Sequence, residues 1–241
     1  MQKKIGWNFG RVKMTTEHPS GYNYYKTVVG EIEFDETKML DIGCGSAEKS
    51  SKFFSGAKKI VLLDIEPNML EKAKVNVEKN NDEKRRKRFK LMLGDGSNKL
   101  PFEDESFDLV VSRHCGANMA EVFRILKKGG KFVSEDYAAN DCWELKDYFC
   151  RGQNYGTKPL QNQIVVNCLD AGFSKVHCLQ FEEIEYYETE DDLKYLLGMT
   201  PILGGFDDKK DELILQKYIE KFITKKGIRL NRHLFSLWLE K

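Results

Sequence analysis

The residues whose types and spacing could do chemistry cluster in the first half of the chain. Met39-Leu40-Asp41-Ile42-Gly43-Cys44-Gly45-Ser46-Ala47 carries an apolar run into a glycine-rich turn. Glycine there lets the backbone come close to a ligand with no Cβ in the way. Asp41 stands just before the turn, where a carboxylate attracts a cationic amino group. Asp64 closes the next apolar run, 19 residues after Gly45, and a carboxylate at that place can accept from both hydroxyls of a ribose. Gly94-Asp95-Gly96-Ser97 ends a third run. Asp95 either accepts from a purine amino group or simply forms an Asp-Gly turn. A dinucleotide fits less well. Its G-x-G-x-x-G fingerprint would put a third glycine where Glu48 stands, and a carboxylate there repels a pyrophosphate.

Two further candidates follow a fourth apolar run. His114, with an ordinary pKa of about 6.5, suits proton uptake near neutrality; its other reading is a hydrogen-bonded loop histidine. Arg113 either binds an anionic substrate group or pairs with a neighbouring carboxylate. The six cysteines (44, 115, 142, 150, 168 and 178) show no C-x-x-C pair and no Cys/His metal spacing, so no metal is called for. They read as reduced, mostly buried thiols of a cytoplasmic protein. Cys115 falls near the place of a cysteine nucleophile, but it stands alone.

Five short strands must position these residues: 39–42, 59–64, 89–93, 107–112 and 131–135. Runs that are apolar on both faces suit a parallel sheet covered by helices. Between them, Met69, Ala73 and Val77 share one helical face. Met119, Val122, Phe123 and Leu126 share another, which Gly129-Gly130 ends. Alternation of the two patterns predicts an α/β doubly wound sheet with right-handed crossovers. Beyond it lie a helix over 160–169, an extended stretch over 176–187, about forty mostly helical residues, and a last strand over 230–239. Thr189 and Asp192 mark a helix start. Leu215, Tyr218, Ile219 and Phe222 form a packing stripe.

With 39 basic and 38 acidic residues the net charge is +1, which gives no general pull toward nucleic acid or a membrane. The run Lys84-Arg85-Arg86-Lys87-Arg88 reads as a solvated turn rather than an RNA contact. No apolar run approaches the ~20 residues of a membrane span, and no signal peptide is expected.

Taken in order, Asp41-Ile42-Gly43-Cys44-Gly45, Leu63-Asp64-Ile65-Glu66-Pro67-Asn68-Met69-Leu70, Gly94-Asp95-Gly96, Leu100 to Asp108 and Arg124-Ile125-Leu126-Lys127-Lys128-Gly129-Gly130 resemble the class I S-adenosylmethionine-dependent methyltransferases over residues 37–138. Within them the chain resembles the small-molecule and quinone-biosynthesis branch, and more narrowly some uncharacterised bacterial members. The resemblance implies a Rossmann-like sheet of seven strands in the order 3-2-1-4-5-7-6, strand 7 antiparallel, with a helical cap. It implies a lid over residues 1–30, a core over 31–187, a cap insertion over 188–228 and a last strand over 229–241. Asp41, Gly43, Cys44 and Gly45 would hold the methionine part of S-adenosylmethionine. Asp64 would bind its ribose, Ile65 and Met69 would flank adenine, Asp95 and Gly96 would meet the adenine edge, and Ser112 would line the pocket near the sulfonium. Ala47 departs from the family, which often has a third glycine there; alanine is small enough to be tolerated.

The implied activity is methyl transfer by in-line displacement to a small-molecule acceptor, leaving S-adenosylhomocysteine. His114 is the candidate base, while Tyr22, Tyr25 and Arg113 are candidate substrate residues. Tyr22, Tyr24 and Tyr25 would pack over the cofactor as part of the lid. The Asn/Asp-Pro-Pro-aromatic signature of amino-group nucleic-acid methyltransferases is absent after the fourth strand. An RNA or protein methyltransferase, and a cofactor-binding protein without turnover, stay open as alternatives. The acceptor, the acceptor atom and the oligomeric state are not fixed by the sequence.

Overall fold

The computed structural model describes residues 9–79, 82–157 and 160–241; the first eight residues of the expected lid lie outside them. In chain order the elements are β1 (Met14–Glu17), α1 (Tyr24–Gly30), β2 (Lys38–Ile42), α2 (Glu48–Phe53), β3 (Lys59–Asp64), α3 (Pro67–Glu78), α4 (Glu83–Arg86), β4 (Phe89–Leu93), β5 (Phe107–Arg113), α5 (Met119–Ile125), β6 (Leu126–Tyr137), α6 (Trp143–Phe149), α7 (Leu160–Asp170), β7 (Lys175–Tyr187), α8 (Glu190–Met199), α9 (Glu212–Phe222), β8 (Ile223–Thr224) and β9 (Gly227–Glu240). They form two compact units, cut differently from the expected segments.

The first unit holds residues 23–136, 162–179 and 235–241. Its strands run in the order β4-β3-β2-β5-β6-β9-β7. This is the expected 3-2-1-4-5-7-6 sheet. β4, β3, β2, β5 and β6 are parallel. The end of β9 is antiparallel to β6, with Gly129 N donating to Lys241 O and Lys241 N to Gly130 O, each at 3.0 Å. Met39, Leu40, Ile42, Ile60, Leu62, Leu63, Leu109, Val110 and Val111 are buried, as strands covered on both faces must be. The register sets Asp41 beside Val111 and Arg113 beside Glu135. Since successive residues alternate faces, Asp41, Arg113 and Glu135 share one face and Ser112 faces the other.

β6 corrects one expectation. Strand pairing begins at Leu126, not Lys131, and α5 ends at Ile125. A register irregularity between Phe107 and Leu109 absorbs the extra residues. Lys127, Lys128 and Gly129 are exposed, so polar side chains and glycines at a strand's solvent end imitate a helix terminus.

The second unit holds the described residues up to Tyr22, 137–161 and 180–234. Here β1 pairs antiparallel with β7, and β8 with β9. These two short strands bring the count to nine where seven were expected. Thr189 caps α8 by accepting from Asp192 N at 3.1 Å. Leu215 and Tyr218 of the expected stripe are buried with Leu193, Leu196, Leu197 and Leu230, and Ile219 and Phe222 pack against them. Arg232 is buried between Asp141 (2.9 and 3.0 Å) and Glu185 (3.0 and 3.1 Å). Two carboxylates and the Tyr137 ring, 4.3 Å away, leave that charge paired, as burial demands.

The basic run 84–88 is bound locally. Asp82 caps α4, accepting from Lys84 N and Arg85 N, Lys87 pairs with Glu83 at 2.8 Å, and Arg88 donates to the carbonyls of Ser55, Gly56 and Ala57 while pairing with Asp35. Among the described residues no helix is long and apolar enough to cross a membrane, and none of the six cysteines is in a disulfide.

Candidate functional site

The glycine-rich turn leaves β2 and enters α2. Gly43 N and Cys44 N both donate to Leu63 O, at 2.8 and 3.0 Å, which ties the turn to β3. Gly43 has φ 71°, and a Cβ there would collide with the Cys115 side chain; both facts require glycine. Gly45 N donates to Asp64 Oδ2 at 2.7 Å, Glu66 N to Asp64 Oδ1 at 2.9 Å, and Asn76 Nδ2 to Ser46 O at 2.9 Å. Asp64 therefore clamps the turn as well as ending β3. Each of its oxygens keeps a lone pair for another donor.

Ala47 has φ 51° and N-caps α2 in the left-handed region. A left-handed φ favours glycine at such a position. An L-residue there costs about 1–2 kcal/mol. Glycine would forfeit a buried methyl worth ~0.8 kcal/mol and about 0.5–1 kcal/mol of chain entropy. The terms nearly cancel. Ala47→Gly is expected to change unfolding free energy by less than about 1 kcal/mol in urea titrations, whereas β-branched Ala47→Val loses more than about 2 kcal/mol, its φ being an outlier for that side chain. Equal stability of the two variants would refute this account.

Asp41 is buried, and Ser50 Oγ in the first turn of α2 donates to its Oδ2 at 2.5 Å. Burial, with the nearby Asp64 charge, pushes its pKa up to about 7 against the Ser50 hydrogen bond. A buried carboxylate that meets one hydroxyl and no cation among the described residues favours a positively charged ligand. Ile65 and Leu93, at the ends of β3 and β4, are each 59% exposed, two apolar side chains available to a flat ring. Met69 in the first turn of α3 is half-buried. Gly96 lies against Ile42 and the Gly116 carbonyl, where a Cβ would not fit, and its carbonyl accepts from Asn118 N at 2.9 Å. Asp95 accepts from Ser97 N, Ser97 Oγ and Asn98 Nδ2, bonds that hold its pKa below the usual range.

Ser112 is buried, and its hydroxyl donates to Cys115 O at 2.7 Å, so it shapes the turn after β5. Cys44 and Cys115 are pushed up by burial, Cys115 to about 11, with surrounding carboxylates adding to it; neither is a thiolate near neutrality.

Arg113 Nε donates to Glu135 Oε1 at 2.7 Å, and its guanidinium stands 5.6 Å from the Tyr25 ring centroid. His114 has φ 54°. Its N–H donates to Glu135 O at 2.8 Å, and its Nε2 lies 3.8 Å from Glu135 Oε1. Glu135, only 3% exposed, thus organises both residues. Sequence reasoning missed it, although an acidic residue ending an otherwise apolar strand was a usable signal. Tyr25 stacks on Phe53 at 5.0 Å, joining α1 to α2. Tyr22 belongs to the other unit, where its ring meets Phe181 at 4.6 Å. Beside the turn after β5 is a cavity of about 160 Å³, with Phe132, Phe235 and Leu237 among its apolar lining and Ser134, Asp136 and Asn167 among its polar lining.

The family described as "Methyltransferase domain" matches residues 33–197. The chain is 26% identical over 174 residues to the ubiquinone/menaquinone biosynthesis C-methyltransferase UbiE of Rickettsia prowazekii, covering 67% of this chain and 66% of that protein. It is 25% identical over 167 residues to the biotin biosynthesis bifunctional protein BioHC of Cellvibrio japonicus, covering 64% of this chain and 31% of that one. The matched stretch is thus under two thirds of either relative's length. A solved structure of Haemonchus contortus phosphoethanolamine N-methyltransferase 2 in complex with S-adenosyl-L-methionine shares the fold at TM-score 0.56 and 21% identity, covering 93% of this chain and 53% of that one.

Proposed function

This chain belongs to the methyltransferase domain family, and from that premise we propose that it transfers a methyl group from S-adenosylmethionine to a small-molecule acceptor, releasing S-adenosylhomocysteine. The observation that carries the reading is the set of groups at the ends of β2, β3 and β4: buried Asp41, the Gly43–Gly45 turn clamped by Asp64, and exposed Ile65 and Leu93. These fit an adenine nucleoside with a cationic amino group. When bound, the cofactor supplies an electrophilic sulfonium methyl.

The chain's own residues do the rest. Asp41 takes the α-ammonium, the turn takes the methionine backbone, and Asp64 takes the ribose through its remaining lone pairs. Ile65, Met69 and Leu93 face adenine, and Asp95 and Gly96 border its edge. The cavity beside the turn after β5 is the place for an acceptor. At about 160 Å³ it is below the ~300–1,000 Å³ of drug-sized sites, so it takes a small group. The local pairing of the 84–88 run also speaks against a nucleic acid acceptor. Where the acceptor nucleophile is protonated, His114 Nε2 takes that proton. Six unpaired thiols fit a cytoplasmic location.

Calorimetric titration with S-adenosylmethionine, S-adenosylhomocysteine and NAD tests the cofactor. Micromolar binding of the two sulfur nucleosides, weakened at least 30-fold by Asp64→Ala, is expected, because the variant removes the ribose acceptor and frees Gly45 N. Binding of NAD instead, with neither nucleoside bound, would move the reading to an oxidoreductase.

A further inference from the structure

Tyr24, the first residue of α1, is almost fully buried, and its hydroxyl has no hydrogen-bond partner among the described residues. A buried hydroxyl left unpaired is destabilising, so such a group marks where a partner is to arrive. The surroundings say what kind. α1 is fixed on α2 through Tyr25, whose ring stacks on Phe53 and lies near Phe54, and α2 carries Ser50, whose hydroxyl donates to Asp41. Burial and the charges of Asp41 and Glu135 push the Tyr24 pKa up, while Arg113 pulls it down. Tyr24 is therefore a neutral donor within the fields of all three charged groups, which share one face of the sheet.

A buried donor and a buried acceptor thus stand near one another without bonding to each other. One ligand group satisfies both: an α-amino acid zwitterion, whose ammonium suits Asp41 and whose carboxylate suits an O–H donor in the field of Arg113. We propose that Tyr24 is a cofactor-positioning residue, its hydroxyl donating to the α-carboxylate of S-adenosylmethionine while Asp41 holds the α-ammonium. The inference rests on the cofactor reading above and adds to it the element that distinguishes the intact amino acid end from a truncated one.

The test is calorimetry on the parent and Tyr24→Phe with two ligands: S-adenosylhomocysteine, and S-adenosyl-3-thiopropylamine, the same molecule without its carboxylate. Tyr24→Phe keeps the ring and removes an unpaired hydroxyl, so its melting temperature is expected to equal or exceed the parent's. A hydrogen bond to a charged group corresponds to about 10- to 100-fold in affinity. Tyr24→Phe is expected to weaken S-adenosylhomocysteine by that factor and the decarboxylated ligand by less than about twofold. Equal weakening of both ligands, or no weakening of either, overturns the assignment while leaving the cofactor reading intact. Failure of the parent to bind either ligand overturns the cofactor reading, and this inference with it.

Discussion

Asp41→Asn is expected to make the ligand-free protein more stable while destroying its cofactor binding. In the folded protein Asp41 ionises at about 7; in the unfolded chain it ionises near 3.9. Between these values the folded state holds a proton that the unfolded state has released, so this group's contribution to stability falls as pH rises from about 4 to about 7. Above pH 7 the carboxylate is charged, buried and short of a cation, and its full destabilising effect is present. Asparagine keeps an acceptor for Ser50 Oγ and carries no charge. Roughly three pKa units correspond to about 4 kcal/mol as an upper figure. Half of that still moves the melting temperature of a chain this size by about 4–8 °C. The gain should be clear at pH 8 and absent at pH 4. In the same variant the ligand ammonium meets no carboxylate. Unpairing a buried charge costs about 3–5 kcal/mol, so S-adenosylhomocysteine affinity falls at least 100-fold. In the parent, affinity should drop about tenfold per pH unit below 7, because the ammonium binds only to the ionised Asp41. Differential scanning calorimetry and titrations between pH 5 and 8 read both effects. A variant that melts below its parent at pH 8 would remove the stored-charge account, and one that binds normally would remove Asp41 from the site.

What the sequence made legible follows the same physics. A strand buried on both faces leaves a continuous apolar run, so Lys59–Asp64 could be placed to the residue; the edge strand Phe89–Leu93 has no buried residue, yet its mostly apolar letters placed it as well. The glycine turn was visible because Gly43 admits no Cβ. The early start of β6 was hidden because its first residues are solvent-facing lysines and glycines, and β1 and β8 were hidden because each is only four or two residues long. The site was harder to read where roles depend on register. Nothing local in Ser134-Glu135-Asp136 shows that Glu135 comes beside Arg113; that follows from Val111 pairing with Val133 across two strands. The Ser112 hydroxyl donates to a carbonyl three residues on, a choice that a turn makes and a strand pattern does not reveal. Tyr24 and Tyr25 were equivalent as letters. Only the packing of α1 on α2 separates the stacked ring from the buried hydroxyl.

His114→Asn is expected to lower kcat by about 10²–10⁴, the range for losing a positioned general base, once an acceptor with a protonated nucleophile is in hand. The choice of replacement comes from the backbone. His114 sits at φ 54°, a region that asparagine enters readily and most other residues do not, so the variant keeps the turn after β5 while removing the basic nitrogen. Alanine would confound lost chemistry with lost geometry. Glu135 gives the companion measurement. Its Oε1 is 2.7 Å from Arg113 Nε and 3.8 Å from His114 Nε2, so Glu135→Gln keeps the approximate shape and removes the charge that stands beside both. The acidic limb of the kcat/KM profile should then differ between the parent and Glu135→Gln. His114→Asn should lose that limb entirely and keep S-adenosylhomocysteine affinity within about threefold, since the proposed cofactor contacts come from the ends of β2, β3 and β4. Normal turnover in His114→Asn would leave in-line displacement resting on positioning and desolvation alone, as suits an acceptor whose nucleophile is already deprotonated.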